Sequence, residues 1–283
     1  MEIVVENSAA AVMAEVSDFL QREEALNNVP LGVLERARAQ PDFYRSFVSY
    51  TAISEGRVIA YAHSTPPFPM SLAKGEDKGV AGIAQFLMDN RINVEKIMGP
   101  ESSMNVFLKT FDPDQDKVLK TEKRGCYRLT QVIEPADTKS QMVLAGDEKL
   151  ELLIKWYRAF AIAVEMELDS DEGIANFLRM KINAGDMYLL IHDGVPVTCA
   201  VAGRIMPNGR SIGFVYTPEE YRRRGFASSM VAELSKAILN QGFAYVCLFT
   251  EMQNATSNKI YQAIGYKWVD GFTQVTCRMA LYD

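Results

Sequence analysis

Arg222, Gly225 and Ala227 form an R-x-x-G-x-A pattern inside Tyr221-Arg-Arg-Arg-Gly-Phe-Ala-Ser-Ser229, and residues of these types at this spacing can capture an anion. Small residues let a ligand approach the backbone, and the first amides of a helix that starts here have no intrahelical acceptor. The helix dipole adds partial positive charge, and Arg222, Arg223 and Arg224 add three full charges, so a diphosphate suits the entrance better than a carboxylate. A basic helix entrance on a solvated surface is the alternative that the short pattern leaves open. The flanks place the pattern. Ile212, Phe214 and Tyr216 alternate with Gly213 and Val215 as in a buried strand, and Pro218 stops the ladder. Downstream, Ala227, Met230, Val231, Leu234 and Ile238 recur at helical spacing.

A second stretch follows. Tyr245-Val-Cys-Leu-Phe-Thr-Glu251 reads as a strand, and residues 254–266 read as a short helix ending at Gly265. Together the two stretches resemble the GNAT superfamily of acetyl-CoA-dependent N-acetyltransferases, whose pyrophosphate loop has the form Q/R-x-x-G-x-G/A and is followed by a strand and a helix bearing asparagine and tyrosine. Arg222, Gly225 and Ala227 match the loop, and Asn258 and Tyr261 match the helix. The resemblance covers about residues 141–283.

It implies an α/β fold with a mixed central sheet flanked by helices, and acetyl-CoA as cosubstrate. Cofactor contacts are expected at Val215, Tyr216, Thr217, Arg222, Arg223, Arg224, Gly225, Phe226, Ala227, Ser228, Asn254 and Asn258. The thioester would lie between the strands at 213–216 and 246–249, where amides of Val215 and Tyr216 polarise its carbonyl. Tyr261 matches the family's general acid toward the leaving sulfur, with core packing as its alternative. For the general base the residues themselves offer Glu251, which ends its strand on the side where ligands gather in α/β sheets. Glu165 and Glu167, after the amphipathic helix of Trp156 and Phe160, are either solvated or an attraction for a cationic amine.

Composition narrows the function classes. The net charge of −6 and pI near 5.2 argue against a general nucleic-acid binder. Met1-Glu-Ile-Val-Val-Glu6 carries acids where a signal peptide carries bases, and no apolar run reaches membrane-spanning length, so a cytoplasmic protein without a membrane partner is expected. Cys126, Cys199, Cys247 and Cys277 lie far apart and His63 and His192 are isolated, so no metal site is expected. His192 precedes Asp193-Gly194, a hairpin signal. Three readings remain at this level: an N-acetyltransferase for a primary amine of a small molecule or peptide, a non-catalytic acyl-CoA-binding sensor, and, weakest, a nucleotide-binding module. The expected assembly is a monomer or homodimer.

A length of 283 residues favours two domains. Residues 8–40 suggest two helices broken at Asn27-Asn-Val-Pro30. Residues 47–56 and 57–63 suggest a hairpin around Glu55-Gly56, and the prolines of residues 64–69 exclude a central strand. Helices are expected at 79–89 and 103–111, strands at 94–98 and 127–133, and a linker at Glu134-Pro-Ala-Asp137. The second half repeats this order, with helices at 148–164 and 171–182 and strands at 187–191 and 195–202.

The repetition suggests two tandem GNAT-like halves, a first domain at 1–137 and a catalytic domain at 138–283. Laying Gly56 on Gly194 puts Gly79-Val-Ala-Gly-Ile-Ala84 on residues 222–227 and Asn105 near Asn258. Gly79 then stands for Arg222 and Leu108 for Tyr261, so the first half reads as degenerate and non-catalytic. An unrelated small α/β domain is its alternative.

Overall fold

The chain packs as two units, Met1–Cys126 with Val269–Asp283, and Tyr127–Trp268. The computed structural model describes residues 1–136 and 138–278. The expected linker end Asp137 lies outside the described residues. The division falls at Cys126 rather than in residues 134–137, and the chain's last strand belongs to the first unit.

The first unit contains β1 (Glu2–Glu6), α1 (Ala9–Gln21), α2 (Asn28–Ala39), β2 (Val48–Ser54), β3 (Arg57–Ser64), β4 (Met70–Leu72), α3 (Asp77–Asp89), β5 (Lys96–Pro100) and α4 (Glu101–Phe111). A long strand, β6 (Val118–Leu129), then crosses into the second unit. There follow β7 (Gln141–Leu144), α5 (Leu150–Ala163), α6 (Asp171–Asn183), β8 (Met187–His192), β9 (Val195–Ile205), β10 (Gly209–Tyr216), α7 (Phe226–Asn240), β11 (Tyr245–Glu251) and α8 (Ala255–Ile264). The last strand, β12 (Lys267–Cys277), crosses back. Both units thus run strand, two helices, three strands, helix, strand, helix.

In the first unit the strands lie in the order β1-β2-β3-β4-β5-β12, and β4 and β5 are a parallel pair. β12 runs antiparallel to β5, from Phe272 opposite Pro100 to Thr276 opposite Lys96. Val275 and Cys277 thereby enter a core built from Ala60, Leu72, Ile83, Ile97, Met104 and Phe107. The second unit orders its strands β11-β10-β9-β8-β7 and is covered on both faces. Met230, Leu234 and Ile238 of α7 pack with Ala200, Ile212 and Val246, while Leu153 and Trp156 of α5 pack with Leu189, Cys199 and Phe214. Each fully buried Leu or Ile contributes roughly 1.5–3 kcal/mol, which is why the stripes at helical spacing decide which face of each helix turns inward.

Local chemistry sets several boundaries. The hairpins turn at Glu55-Gly56, with φ of 53° and 72°, and at Asp193-Gly194, with 48° and 77°, the doubly left-handed turn that suits twisted strands. Asn254 caps α8 by accepting from the Ser257 amide at 3.0 Å, and Gly265 ends it with φ of 107°. Asn27, expected only to break a helix pair, is fully buried; its side chain donates to Leu20 O at 3.0 Å and accepts from the Lys74 amide at 2.9 Å.

Three expectations are corrected. Gly79–Ala84 lies wholly within α3, so the entrance corresponding to α7's is Ala73–Glu76. The strand expected at 127–133 is β6, which begins at Val118 and ends at Leu129; its charged, mostly solvent-facing first half hid the alternation. β1, β7 and the full extent of β12 were not anticipated, because each is short or partly polar and is held by partners distant in sequence.

Candidate functional site

β10 pairs with β11 in parallel from Gly209 opposite Tyr245 to Ile212 opposite Leu248, and the ladder ends there. Against β9 the same strand shifts register, Gly213 facing Val201 but Tyr216 facing Cys199, so one extra residue is looped into β10. Phe214 takes the strain with φ of 46°. Its ring is held by Tyr157 at 5.0 Å and Phe160 at 5.3 Å, both edge-on and both from α5. On the other flank the Thr198 hydroxyl donates to Tyr216 O at 2.8 Å, and the Thr217 hydroxyl donates to Thr198 Oγ1 at 2.9 Å.

The result is a splay. Val215 lies beyond the ladder with β11 and outside the register with β9. The Tyr216 amide, by contrast, lies against the Cys199 sulfur, partly offsetting the strong rise that burial imposes on that thiol. Of the two expected carbonyl-polarising amides, Val215 is therefore the one that the bulge turns out of both ladders.

Beyond Tyr216, Pro218 leads into a 3-10 turn at Glu219–Tyr221, and Arg222 Nε donates back to Thr217 O at 3.0 Å. Arg223 has φ of 61° and Gly225 φ of 85°, and α7 opens at Phe226 with no side-chain cap. The amides of Phe226, Ala227 and Ser228 therefore point out of the helix without intrahelical acceptors. The first internal bond runs from the Ser229 amide to Gly225 O at 3.0 Å.

A cavity of about 330 Å³ opens at this point, lined by Arg224, Gly225, Phe226 and Ser228 and, from the facing segments, by Thr138 and His192. His192 is the residue that sequence reasoning missed here. It ends β8, packs 4.9 Å from the Phe226 ring and lies 3.2 Å by Nδ1 from Ser140 Oγ. Ser140 is 3.0 Å from the Thr138 hydroxyl, which is 3.1 Å from Ser229 Oγ. No local signal marks this row, because His192, the Thr138 and Ser140 hydroxyls and Ser229 come from three separate segments.

Glu251 ends β11, partly exposed. Asn258 donates to Glu251 O at 3.3 Å and Met252 O at 3.2 Å and so ties the strand end to α8, while its Oδ1 is buried and unpartnered. Asn254, expected beside the cofactor, spends its side-chain oxygen on the helix cap. Tyr261 is 8 % exposed, with its ring 5.9 Å from Tyr266. Burial pushes its phenol up to about 12, and a hydrogen bond with Ser257 partly offsets the rise. Among the described residues no group of His, Cys, Asp and Glu is placed to hold a metal, and no helix is long and apolar enough to cross a membrane.

A parallel strand pair that splays at a bulge, facing a helix that opens on a left-handed glycine, decides the comparison with known structures. The fold is the GNAT acetyltransferase fold. A GNAT-family acetyltransferase from Colwellia psychrerythraea is 13% identical over 98% of this chain and 100% of its own, with a TM-score of 0.59. A GCN5-related N-acetyltransferase from Sphaerobacter thermophilus is 12% identical over 98% and 95%, with a TM-score of 0.62. A tandem GNAT protein from the clavulanic acid biosynthesis pathway is 12% identical over 100% of both chains, with a TM-score of 0.57. The family model described as FR47-like protein matches residues 191–276, which span the GNAT splay, α7 and α8. No curated protein sequence matches the chain.

Proposed function

We propose that the second unit binds acetyl-CoA and transfers its acetyl group to a primary amine of a small molecule or peptide, by direct attack in a ternary complex. One observation carries the reading: the β10–β11 ladder ends at Ile212 and Leu248 beside a helix that begins on an uncapped glycine. The cradle fits a diphosphate, since a Cβ on Gly225 would stand 3.2 Å from Thr138 Cγ2 and the first-turn amides have no cap. Arg222, Arg223 and Arg224 supply the countercharge. Bound acetyl-CoA supplies an activated thioester.

Within the chain, the Val215 amide donates to the carbonyl oxygen as charge develops there. The amine nitrogen, once neutral, forms the new C–N bond; the C–S bond breaks and sulfur leaves with the electron pair. Glu251, directly or through water, accepts the proton that nitrogen loses, and Tyr261 gives one to sulfur. A phenol pushed up to about 12 is fully protonated at neutral pH and ready to donate.

The first unit is assigned as a GNAT-like half without catalytic activity. The amides before its α3 are already engaged: Lys74 N donates to Asn27 Oδ1 at 2.9 Å, Gly75 N to Ser103 Oγ at 3.2 Å and Glu76 N to Ile59 O at 2.8 Å. Its helix opens on Glu76 and Asp77, which repel an anion where Gly225 admits one. The tandem GNAT relative, matched over its full length, supports the pairing of two such halves. Thiol release from acetyl-CoA in the presence of a panel of amines tests the activity. Release with at least one amine is expected, whereas CoA binding without release under every amine assigns the chain as a sensor.

A further inference from the structure

The chemistry above leaves a buried polar face of the first unit unused. On β3, Ala60 and Ala62 turn toward α3 and join a core with Leu72, Val80 and Ile83. Tyr61 and His63 alternate with them and so stand on the opposite face of the sheet. Across the ladders Thr51 lies opposite Tyr61, and Ser49 and Ser71 lie opposite His63 from either side, so all five share that face. α1 packs against β3 and α2 against β4, and the face is closed off: Tyr61 and His63 are 0% exposed and Ser71 1%.

A sheet face covered by a helix pair ordinarily carries apolar side chains. The second unit, built in the same element order, does so: the face of β8, β9 and β10 that packs with α5 and α6 carries Met187, Leu189, Cys199, Val201 and Phe214. The fold therefore does not call for hydroxyls and an imidazole at this place. The helices above them bury Val12, Val16, Leu20, Leu31 and Leu34, hydrocarbon that can neither donate nor accept.

Among the described residues, the Tyr61 hydroxyl, both ring nitrogens of His63 and the Ser71 hydroxyl are buried without a hydrogen-bond partner, whereas Ser49 donates to Glu6 O at 3.0 Å. The unpartnered groups are neighbours. The Tyr61 and His63 rings lie 5.7 Å apart, and Ser71 is the cross-strand partner of His63. Buried polar groups are paired as a rule and each unpaired one costs free energy, so several of them gathered on one face act as binding groups rather than as filler.

Their chemistry selects the guest. Burial lowers the His63 pKa to about 3 and keeps the ring neutral, and Glu6, opposite Ser49 on β1, gives its carboxylate to the amides of Asn7 and Ser8. A charged guest would be buried without a counter-ion, at high cost. A neutral imidazole offers one donor and one acceptor, and each hydroxyl offers both, so the guest must carry both as well. A primary carboxamide, with two N–H donors and an oxygen that accepts twice, has that inventory without charge.

We infer that the first unit is a binding module whose α1–α2 pair closes over an interior site on β3 and β4, where Tyr61, His63 and Ser71 hold a small neutral primary carboxamide. Entry requires the helix pair to lift. Its junction is tied down, Asn27 accepting from the Lys74 amide at 2.9 Å and Ala25 O from the Cys126 thiol at 3.6 Å, so the junction is the hinge and the far ends of the two helices move. The site uses nothing of the second unit and stands or falls apart from acetyl transfer.

The chain has two histidines, His63 and His192, so ring signals of the histidine-labelled full chain report on this site and carry their own control. Acetamide and propionamide, titrated in the millimolar range, are expected to shift the His63 signals and leave those of His192 in place. Acetate and ethylammonium, similar in size but charged, are expected to leave His63 unmoved. A Tyr61→Phe, Ser71→Ala double variant removes two unpartnered hydroxyls and keeps the ring and the strand. It should raise Tm by a few degrees and weaken the amides at least about tenfold. No His63 response to either amide, an equal response to a charged probe, or unchanged amide affinity in the double variant overturns the inference. A lowered Tm in that variant overturns it too, because the two hydroxyls would then be satisfied within the fold.

Discussion

A side-chain carbon added to Gly225 would stand 3.2 Å from Thr138 Cγ2, closer than a normal methyl contact, on a backbone whose φ of 85° already disfavours an L-residue. The left-handed conformation costs a non-glycine residue about 1–2 kcal/mol, and β-branching adds to it. Gly225→Val is therefore expected to leave the chain folded, with Tm lowered by a few degrees, and to weaken CoA at least about tenfold because it shifts the first-turn amides. Calorimetry alongside circular dichroism checks both halves of that statement. Wild-type CoA affinity in a folded variant would place the phosphate cradle elsewhere.

Tyr261→Phe keeps the buried ring against Tyr266 and removes only the hydroxyl. Turnover is expected to fall by roughly tenfold or less, below the usual 10²–10⁴-fold for general acids because a thiolate leaves readily and water can substitute. The phenol's pKa, raised to about 12, also has a pH signature. As pH rises the proton stays on oxygen past the ordinary phenol value, so kcat should show no alkaline limb from this group through pH about 10. Single-turnover rates of both proteins across that range decide it, and unchanged chemistry in Tyr261→Phe would reduce the residue to packing.

His63 on β3 is fully buried with neither ring nitrogen partnered, and burial lowers its pKa from 6.5 to about 3. In the unfolded chain the imidazole takes up a proton as pH falls below about 6.5, whereas the folded site resists until about 3. The associated stability is present in full above 6.5 and is lost progressively between those values. Between pH 7.5 and 4.5 the loss from this group amounts to roughly 2–3 kcal/mol. Urea unfolding at the two pH values should show His63→Leu losing less stability than the wild type by about that amount. Equal losses would mean that His63 is protonated in the folded protein.

Val275 is fully buried in the core of the first unit although it lies on the last strand of the chain. Val275→Asp places a carboxylate among Ala60, Leu72 and Ile97 and should destabilise the first unit by about 3 kcal/mol or more. Hydrogen exchange should rise first in β5, which β12 flanks, and in α3. Protection lost only in the second unit would contradict the assignment of β12.

The α7 entrance, the glycine that ends α8 and both hairpin turns were legible in the sequence, because each depends on residues a few positions apart. Glu55-Gly56 and Asp193-Gly194 turn where two successive residues tolerate positive φ, and Gly225 opens α7 for the same local reason. The stripe of Met230, Leu234 and Ile238 likewise named its own buried face. Tertiary structure decided the rest. Phe214 is bent out of the ladder by rings from α5, and Asn258 is turned to the end of β11 rather than left open to a ligand. His192 reaches the α7 entrance from a distant strand, packing on Phe226 and meeting Ser140 and Thr138, and in the first unit the amides just before α3 are taken by Asn27 and Ser103. β12 was assigned by sequence order to the second half, yet its hydrogen bonds and its valine serve the first. Turns and caps are settled by energies within one stretch of chain, whereas strand exchange, a bulge or a filled amide is settled by which distant groups the core brings into contact.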